Sequence, residues 1–170
     1  TFMGVERPDG PARVQAALAQ AGLSTEVQVL DESTRTAALA AQALGTALGS
    51  IVKSLLFLAD DRPILVLVAG DRRADTARLQ ALLGAGRVRI ANADRVRQET
   101  GYAVGGVPPL GHARPLPTYI DASLARFDTV YAAAGAPCAV FAIDFPTLVE
   151  VTHGLVADVT ETPQMEDRRS

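Results

Sequence analysis

Two apolar runs, residues 51–59 and 64–69, stand out from the pattern of the chain, separated by the polar stretch Asp60-Asp61-Arg62-Pro63. Alternation along the first run sends Ile51, Lys53, Leu55 and Phe57 to one face and Val52, Ser54, Leu56 and Leu58 to the other. Both faces are apolar, which predicts an internal strand paired with the second run as an antiparallel hairpin. Before this hairpin, Pro11 opens a helix that places Val14, Ala17, Leu18 and Ala21 on one face and closes at Gly22. Val27 and Val29 alternate with polar neighbours in a strand at 25–30, the polar turn 31–36 can cap the next helix, and an alanine-rich helix at 36–44 docks through Leu39 and Leu44.

After the hairpin, a helix from Asp75 or Thr76 to Gly84 carries Leu79, Leu82 and Leu83, a short strand follows at 87–91, and Asn92 caps a helix running through Thr100. Strands are predicted at 118–121, 129–133, 138–143 and 156–159, with a helical turn at 122–127 and a Pro146-initiated helix ending at Gly154. The order predicts one α+β domain: a mixed, strongly curved, barrel-like sheet with helices outside. Residues 1–10 form a lead-in, 11–160 the domain and 161–170 a charged tail.

One stretch fits none of these periods. Residues 101–112 hold four glycines and two prolines, leaving no room for a regular helix or central strand. The reading is a rigid, shaped loop whose free N–H groups at Gly105, Gly106 and Val107 can hold a developing oxyanion; the plain alternative is a connection between strands.

Composition changes this picture at a few points. A net charge of -3 excludes a protein that grips nucleic acid through an overall basic surface, so any such contact is local. The arginines crowded between Arg72 and Arg97 read mostly as solvated faces, with a subset along an RNA backbone as the sharper alternative. Of the 16 basic residues, 15 are arginines and one is a lysine, Lys53, which falls on the internal strand. A cation there is costly unless its head reaches solvent, a carboxylate or an anionic ligand, so Lys53 is either a site residue or a snorkelling one. A single cysteine, Cys138, excludes an internal disulfide and reads as a buried residue of its strand; with only His112 and His153 beside it, no zinc spacing can be assembled. His153 reads as a cation at a helix C-terminus. The apolar runs are too short to cross a bilayer and the first ten residues lack an apolar core, so a cytoplasmic protein with no membrane partner is expected.

The segments Ile51-Val52-Lys53-Ser54-Leu55, Thr100 to His112 through Gly105-Gly106-Val107-Pro108-Pro109, and Val130-Tyr131-Ala132-Ala133-Ala134-Gly135 occur in the order seen in the YbaK family. The chain resembles that family over about residues 11–160. Its members are freestanding relatives of the editing domain of prolyl-tRNA synthetase, and they hydrolyse the ester of mischarged aminoacyl-tRNA. The resemblance implies a YbaK-like fold with a pocket for the aminoacylated terminal adenosine. It further implies that Lys53 lies near ribose or phosphate oxygens, that the amides of Gly105 and Gly106 point at the ester carbonyl, and that Val107, Pro108, Gly111, His112, Ala133 and Gly135 shape the pocket. Water is positioned by the substrate's own ribose hydroxyl, with no metal and no cofactor. The partners implied are the acceptor end of mischarged tRNA and an aminoacyl-tRNA synthetase.

Cysteinyl-tRNA-cleaving members carry a tyrosine near Leu30, a serine near Ala133 and an aspartate near Val140. This chain has none of the three, so cysteinyl specificity is not carried over. Ser33, Thr34, Arg35 and Thr36 stand as candidate rim residues or as a helix cap. His112 either orients substrate or acts as a base, or it holds the loop in shape. The rival functions are a module that binds an aminoacyl-adenosine or RNA end without cleaving it, and an unrelated hydrolase of small activated esters.

Overall fold

The strand β2 (Ile51–Ala59) is the one on which the sheet is assembled, and its two edges are used differently. A computed structural model describes residues 9–162. Along one edge β2 pairs antiparallel with β3 (Arg62–Ala69) from Val52 through Ala59. The connecting Asp60 and Asp61 have φ of 49° and 70°, the pair of positive values that a two-residue hairpin turn needs to follow the sheet's twist.

The other edge of β2 is shared. Ile51 and Val52 pair in parallel with Tyr131 and Ala132 of β6 (Thr129–Ala133), while Phe57 to Ala59 pair antiparallel with β4 (Val88–Ile90). Between these partners residues 53–55 face no strand, so the sheet splits beside Lys53. Beyond β6 come β7 (Ala139–Asp144) and β1 (Gln28–Val29); beyond β3 come β5 (Thr118–Asp121) and β8 (Leu155–Ala157), completing a mixed eight-stranded sheet.

Five helices accompany the sheet: α1 (Gly10–Gln20), α2 (Ala37–Leu44), α3 (Thr76–Leu83), α4 (Ala93–Thr100) and α5 (Phe145–Thr152). Each begins at a polar cap: Thr36, Asp75 and Asn92, expected from the sequence, and Asp9 and Asp144, which were not, all accept a backbone N–H of the first turn. The alternation along β2 separates two cores. Val52, Leu56 and Leu58 pack with Val14 and Leu18 of α1 and Phe141 of β7, while Leu55 and Phe57 pack with Val66, Val68, Leu79 and Val88.

Several expectations need correction. Gly10 belongs to α1 rather than to the lead-in; the rest of that lead-in, apart from Asp9, and the tail beyond Thr162 lie outside the described residues. The strand expected at 25–30 contracts to two residues with Val29 exposed, because as an edge strand it has only β7 to pair with. Leu39 and Leu82 point outward, and α2 instead buries Ala40 and Ala41, whose small side chains allow close approach to Ile51. Cys138 precedes β7 instead of lying in it: its φ of 69° belongs to the turn from β6, and it is only partly buried. β8 begins one residue early and stops at Ala157, after which Val159 is fully buried.

That last stretch is held by Asp121, which is 1% exposed. Its carboxylate accepts from the amide and hydroxyl of Ser123, from Val159 N at 3.0 Å and from Thr160 Oγ1 at 3.1 Å. Removing it strands several buried donors at once, each costing about 1–3 kcal/mol. Asp121→Ala is therefore expected to lower stability by roughly 2–4 kcal/mol, read as a reduced denaturation midpoint. A midpoint equal to wild type would mean that water replaces the carboxylate without cost.

Candidate functional site

A cavity of about 340 Å³ opens where the sheet splits. Its walls come from five separated segments: the turn and first residues of α2, the strand β2, the end of β4 with α4, the 101–112 loop, and the β6–β7 turn. Of the residues singled out from sequence, Thr34, Arg35, Thr36, Lys53, Gly105, Val107 and Ala133 line it.

The loop is braced from inside and from α1. Ala113 N donates to Thr100 O at 2.9 Å, and Tyr102, 3% exposed, donates its hydroxyl to Gly111 O at 3.1 Å. Arg13 lays its guanidinium over the Tyr102 ring at 4.3 Å from the centroid and donates to Gly101 O at 3.1 Å. His112 Nε2 lies 2.6 Å from Pro108 O, which sets its tautomer: the proton sits on Nε2 and is donated to the carbonyl. Burial keeps this imidazole below its ordinary pKa against the pull of that carbonyl. His112 does not line the cavity, so its place in the fold is that of a loop brace.

Gly105, with φ of +92°, turns the chain at the cavity wall, and the amides of Gly105 and Val107 have no hydrogen-bond partner among the described residues. The expectation of three free amides fails at Gly106. Its N–H donates to Ala103 O at 3.0 Å, closing a tight local turn, and its carbonyl accepts from Gly135 N at 2.9 Å. Gly106 and Gly135 lie behind the wall, backbone against backbone. Pro108 is buried in the loop and Gly111 is exposed; neither lines the cavity, and their carbonyls are taken by His112 and Tyr102.

Lys53 reaches the cavity from β2, and its Nζ donates to Arg72 O at 2.8 Å. Burial holds its ammonium below the ordinary lysine range, the Arg73 charge acts in the same direction, and Asp71 opposes them. An ammonium carries three N–H donors, so two remain after the Arg72 contact. On the opposite side, Thr36 caps α2 by accepting from Leu39 N at 3.1 Å and Thr34 Oγ1 donates to Asp31 O at 2.6 Å, so both hydroxyls already serve the backbone. Ser33 neither lines the cavity nor caps: its backbone N–H donates to the Asp31 carboxylate at 2.9 Å, and Asp31 is the cap. Arg35 is exposed at the rim and forms no ion pair among the described residues.

Among the wall residues that sequence reasoning missed, three carry polar or titratable side chains: Ser54, Tyr131 and Cys138. Ser54 Oγ is buried beside the cavity with no partner; the same cost argument that singled out Lys53, a polar group in an apolar internal strand, could have found it. Tyr131 and Cys138 come from the β6–β7 hairpin, which the resemblance brought to the pocket only through Ala133 and Gly135. The arginines of the middle region are largely engaged elsewhere: Arg78 pairs with Asp158 at 2.8 Å, and Arg95 with Glu99 at 2.8 Å. No group of three His, Cys, Asp or Glu side chains that could hold a metal occurs among the described residues. No helix among them is long and apolar enough to cross a membrane.

Comparison with known proteins places this geometry among relatives. The family model of the aminoacyl-tRNA editing domain matches residues 31–151. The Bacillus subtilis protein YwhH, itself uncharacterized, is 36% identical over 111 residues, covering 65% of this chain and 70% of YwhH. Proline--tRNA ligase of Lactobacillus gasseri is 48% identical over 61 residues, which is 36% of this chain and 11% of the ligase. Among solved structures, a protein proposed as a trans-editing enzyme for prolyl tRNA synthetase superposes with a TM-score of 0.86 at 42% identity, covering 92% of this chain and all of that one. The hypothetical protein APE2540 superposes at 0.81 with 34% identity over 88% of this chain.

Proposed function

The chain belongs to the aminoacyl-tRNA editing domain family, and from that premise we propose that it acts in trans as a deacylase of mischarged aminoacyl-tRNA. The observation that carries the reading is that one cavity is lined by Lys53, whose ammonium keeps two uncommitted donors, and by Gly105 and Val107, whose backbone amides have no partner among the described residues. The amides of Gly105 and Val107 take the oxyanion that forms when water adds to the ester carbonyl carbon, and Gly106 supports their turn from behind. The intermediate then expels the ribose oxygen, which takes up a proton to leave the free amino acid and a tRNA with its terminal hydroxyl restored.

The nucleophile is water rather than a side chain. His112 is committed to Pro108 and lies off the wall, and Cys138 reaches the wall without a histidine beside it, so neither a Cys/His nor a Ser/His arrangement is available. The substrate's neighbouring ribose hydroxyl is then the group left to position the water. Lys53 fixes the terminal nucleotide through ribose or phosphate oxygens, and Arg35 at the rim meets the RNA backbone.

A panel of mischarged tRNAs, assayed for release of the amino acid, tests the proposal. The expected result is turnover of at least one member above the spontaneous rate, unchanged in excess chelator once tRNA folding is controlled. Binding of the tRNA with no cleavage of any ester would instead make the protein a reader of the aminoacyl end. Turnover of free amino-acid esters with no response to tRNA would make it a small-ester hydrolase.

A further inference from the structure

The ammonium of Lys53 is held by a chain of contacts that begins outside the cavity wall. Its acceptor, Arg72 O, lies in the connection from β3 to α3, where Arg72 N donates to Ala69 O at 3.0 Å. The neighbouring Asp71 is gripped by Arg126 through two parallel contacts, Nη2 to Oδ1 at 2.8 Å and Nη1 to Oδ2 at 3.1 Å. Arg126 is itself fixed, with Nε donating to Ser123 O at 2.6 Å and the guanidinium 4.9 Å from the centre of the Phe127 ring. Gly49 closes the arrangement from below: a Cβ there would lie 2.8 Å from Arg126 Nη2 and 2.9 Å from both Asp71 Oδ2 and the Phe127 ring. Any larger side chain there would have to displace the pair or the Phe127 ring.

We infer that Asp71 and Arg126 are positioning residues for Lys53, a clamp that holds the Arg72 carbonyl where it orients the ammonium toward the cavity. Geometry and magnitude agree on this division of labour. The two side chains are 36% and 35% exposed, so the pair contributes little to overall stability despite its bidentate form. What it fixes is a place, since a fork-to-carboxylate contact constrains both direction and distance. A lysine on a flexible stem has many rotamers, and one hydrogen bond to a fixed carbonyl removes most of them. The charges around the ammonium are Asp71, Arg72 and Arg73 on this connection and Arg35 across the cavity, with Tyr131 and Cys138 as the other titratable groups of the wall.

The catalytic side of this inference rests on the deacylase reading, but the clamp has a readout that does not. Lys53 is the only lysine in the chain, so isotopic labelling of lysine side-chain nitrogen gives one ammonium signal. Its titration midpoint and the exchange of its protons with water report charge and confinement directly. Asp71→Asn is expected to lower the midpoint, because a neighbouring negative charge is lost, and to speed proton exchange. Arg126→Ala is expected to speed exchange without lowering the midpoint, since the Asp71 charge remains, and Arg126→Lys to restore part of the protection. With a tRNA that the wild type deacylates, both disrupting variants are expected to lose kcat by on the order of tenfold to a hundredfold while KM and the thermal midpoint change little.

Unchanged ammonium exchange in both variants would overturn the clamp, as would a large fall in thermal midpoint in both, which would make the pair a fold element. Should one variant fail to fold, the exchange rate in Arg126→Lys against wild type decides. A wild type that cleaves no ester, with exchange still responding, would remove the deacylase reading and leave the clamp. Deacylation by the wild type with exchange and rate indifferent to both substitutions would do the reverse.

Discussion

Lys53→Ala is expected to abolish measurable deacylation while leaving the fold intact. The side chain is half-buried and its one hydrogen bond among the described residues is to Arg72 O, so its removal costs the fold about 1 kcal/mol, the worth of one contact, and relieves the desolvation of a charge. Function has no such compensation. Among the described residues no other cation lines the cavity except Arg35, which stands at the exposed rim and cannot occupy the place of an ammonium on β2. Lys53→Arg is expected to fail as well. The guanidinium is planar and larger, Ile51 and Leu55 flank it on the same face of the strand, and the Arg72 carbonyl sits at the distance that suits a lysine. A positioned group moved by about 1 Å loses on the order of a hundredfold in rate. Deacylation rates and thermal midpoints for wild type, Ala and Arg, measured side by side, check this. Full activity in Lys53→Ala would reduce the residue to a surface cation with a buried stem.

Lys53 also marks how far sequence reasoning reaches. Its strand, both faces of it, and the helices capped by Thr36, Asp75 and Asn92 are legible because alternation and capping are local: each residue's role follows from its neighbours within four positions. The cation was legible by cost, since one lysine in an apolar internal strand demands a reason. The cavity was not. It exists because β2 shares one edge between β6 and β4, and a gap between two pairing partners is a property of the sheet rather than of any segment.

Cys138 shows the same limit in small. Apolar residues continue from Cys138 through Ile143, so the pattern extends the strand back over it, but the turn from β6 needs a residue with φ of 69° there and leaves Cys138 ahead of the strand, at the cavity wall. In the glycine loop, composition announced a shaped turn and the resemblance announced its chemistry. Which of the three amides would be consumed in making the turn depended on Ala103 O reaching Gly106 N, a contact that no spacing rule encodes.

Gly106→Ala and Gly135→Ala are expected to disable the site from behind its wall, and for reasons that differ from Gly105→Ala. A Cβ on Gly106 would lie 2.8 Å from both Ala136 Cα and N and 3.0 Å from Gly135 C. These are backbone atoms of the β6–β7 turn, which cannot swing aside as a side chain would. Overpacking of this kind costs about 1–3 kcal/mol, and relief requires the loop to move off the turn that Gly135 N bonds to it. Gly135 adds a second penalty. Its φ of +94° is strained for any residue with a Cβ, and that Cβ would meet the first turn of α1, 2.8 Å from Gly10 Cα and closer still to its carbonyl. Strain and overlap together come to roughly 2–5 kcal/mol.

Gly105 is the control. It shares the positive φ but nothing lies within 4 Å of its Cβ position, so Gly105→Ala pays strain alone, about 1–2 kcal/mol, and keeps its amide at the wall. The expected order of thermal midpoints is wild type, then Gly105→Ala, with Gly135→Ala lowest. Gly106→Ala is expected to lose deacylation by on the order of a hundredfold through displacement of the adjacent Gly105 and Val107 amides. A Gly106→Ala protein as stable and as active as wild type would show that the loop can leave the β6–β7 turn without moving those amides, and the oxyanion would then have to be held elsewhere in the cavity.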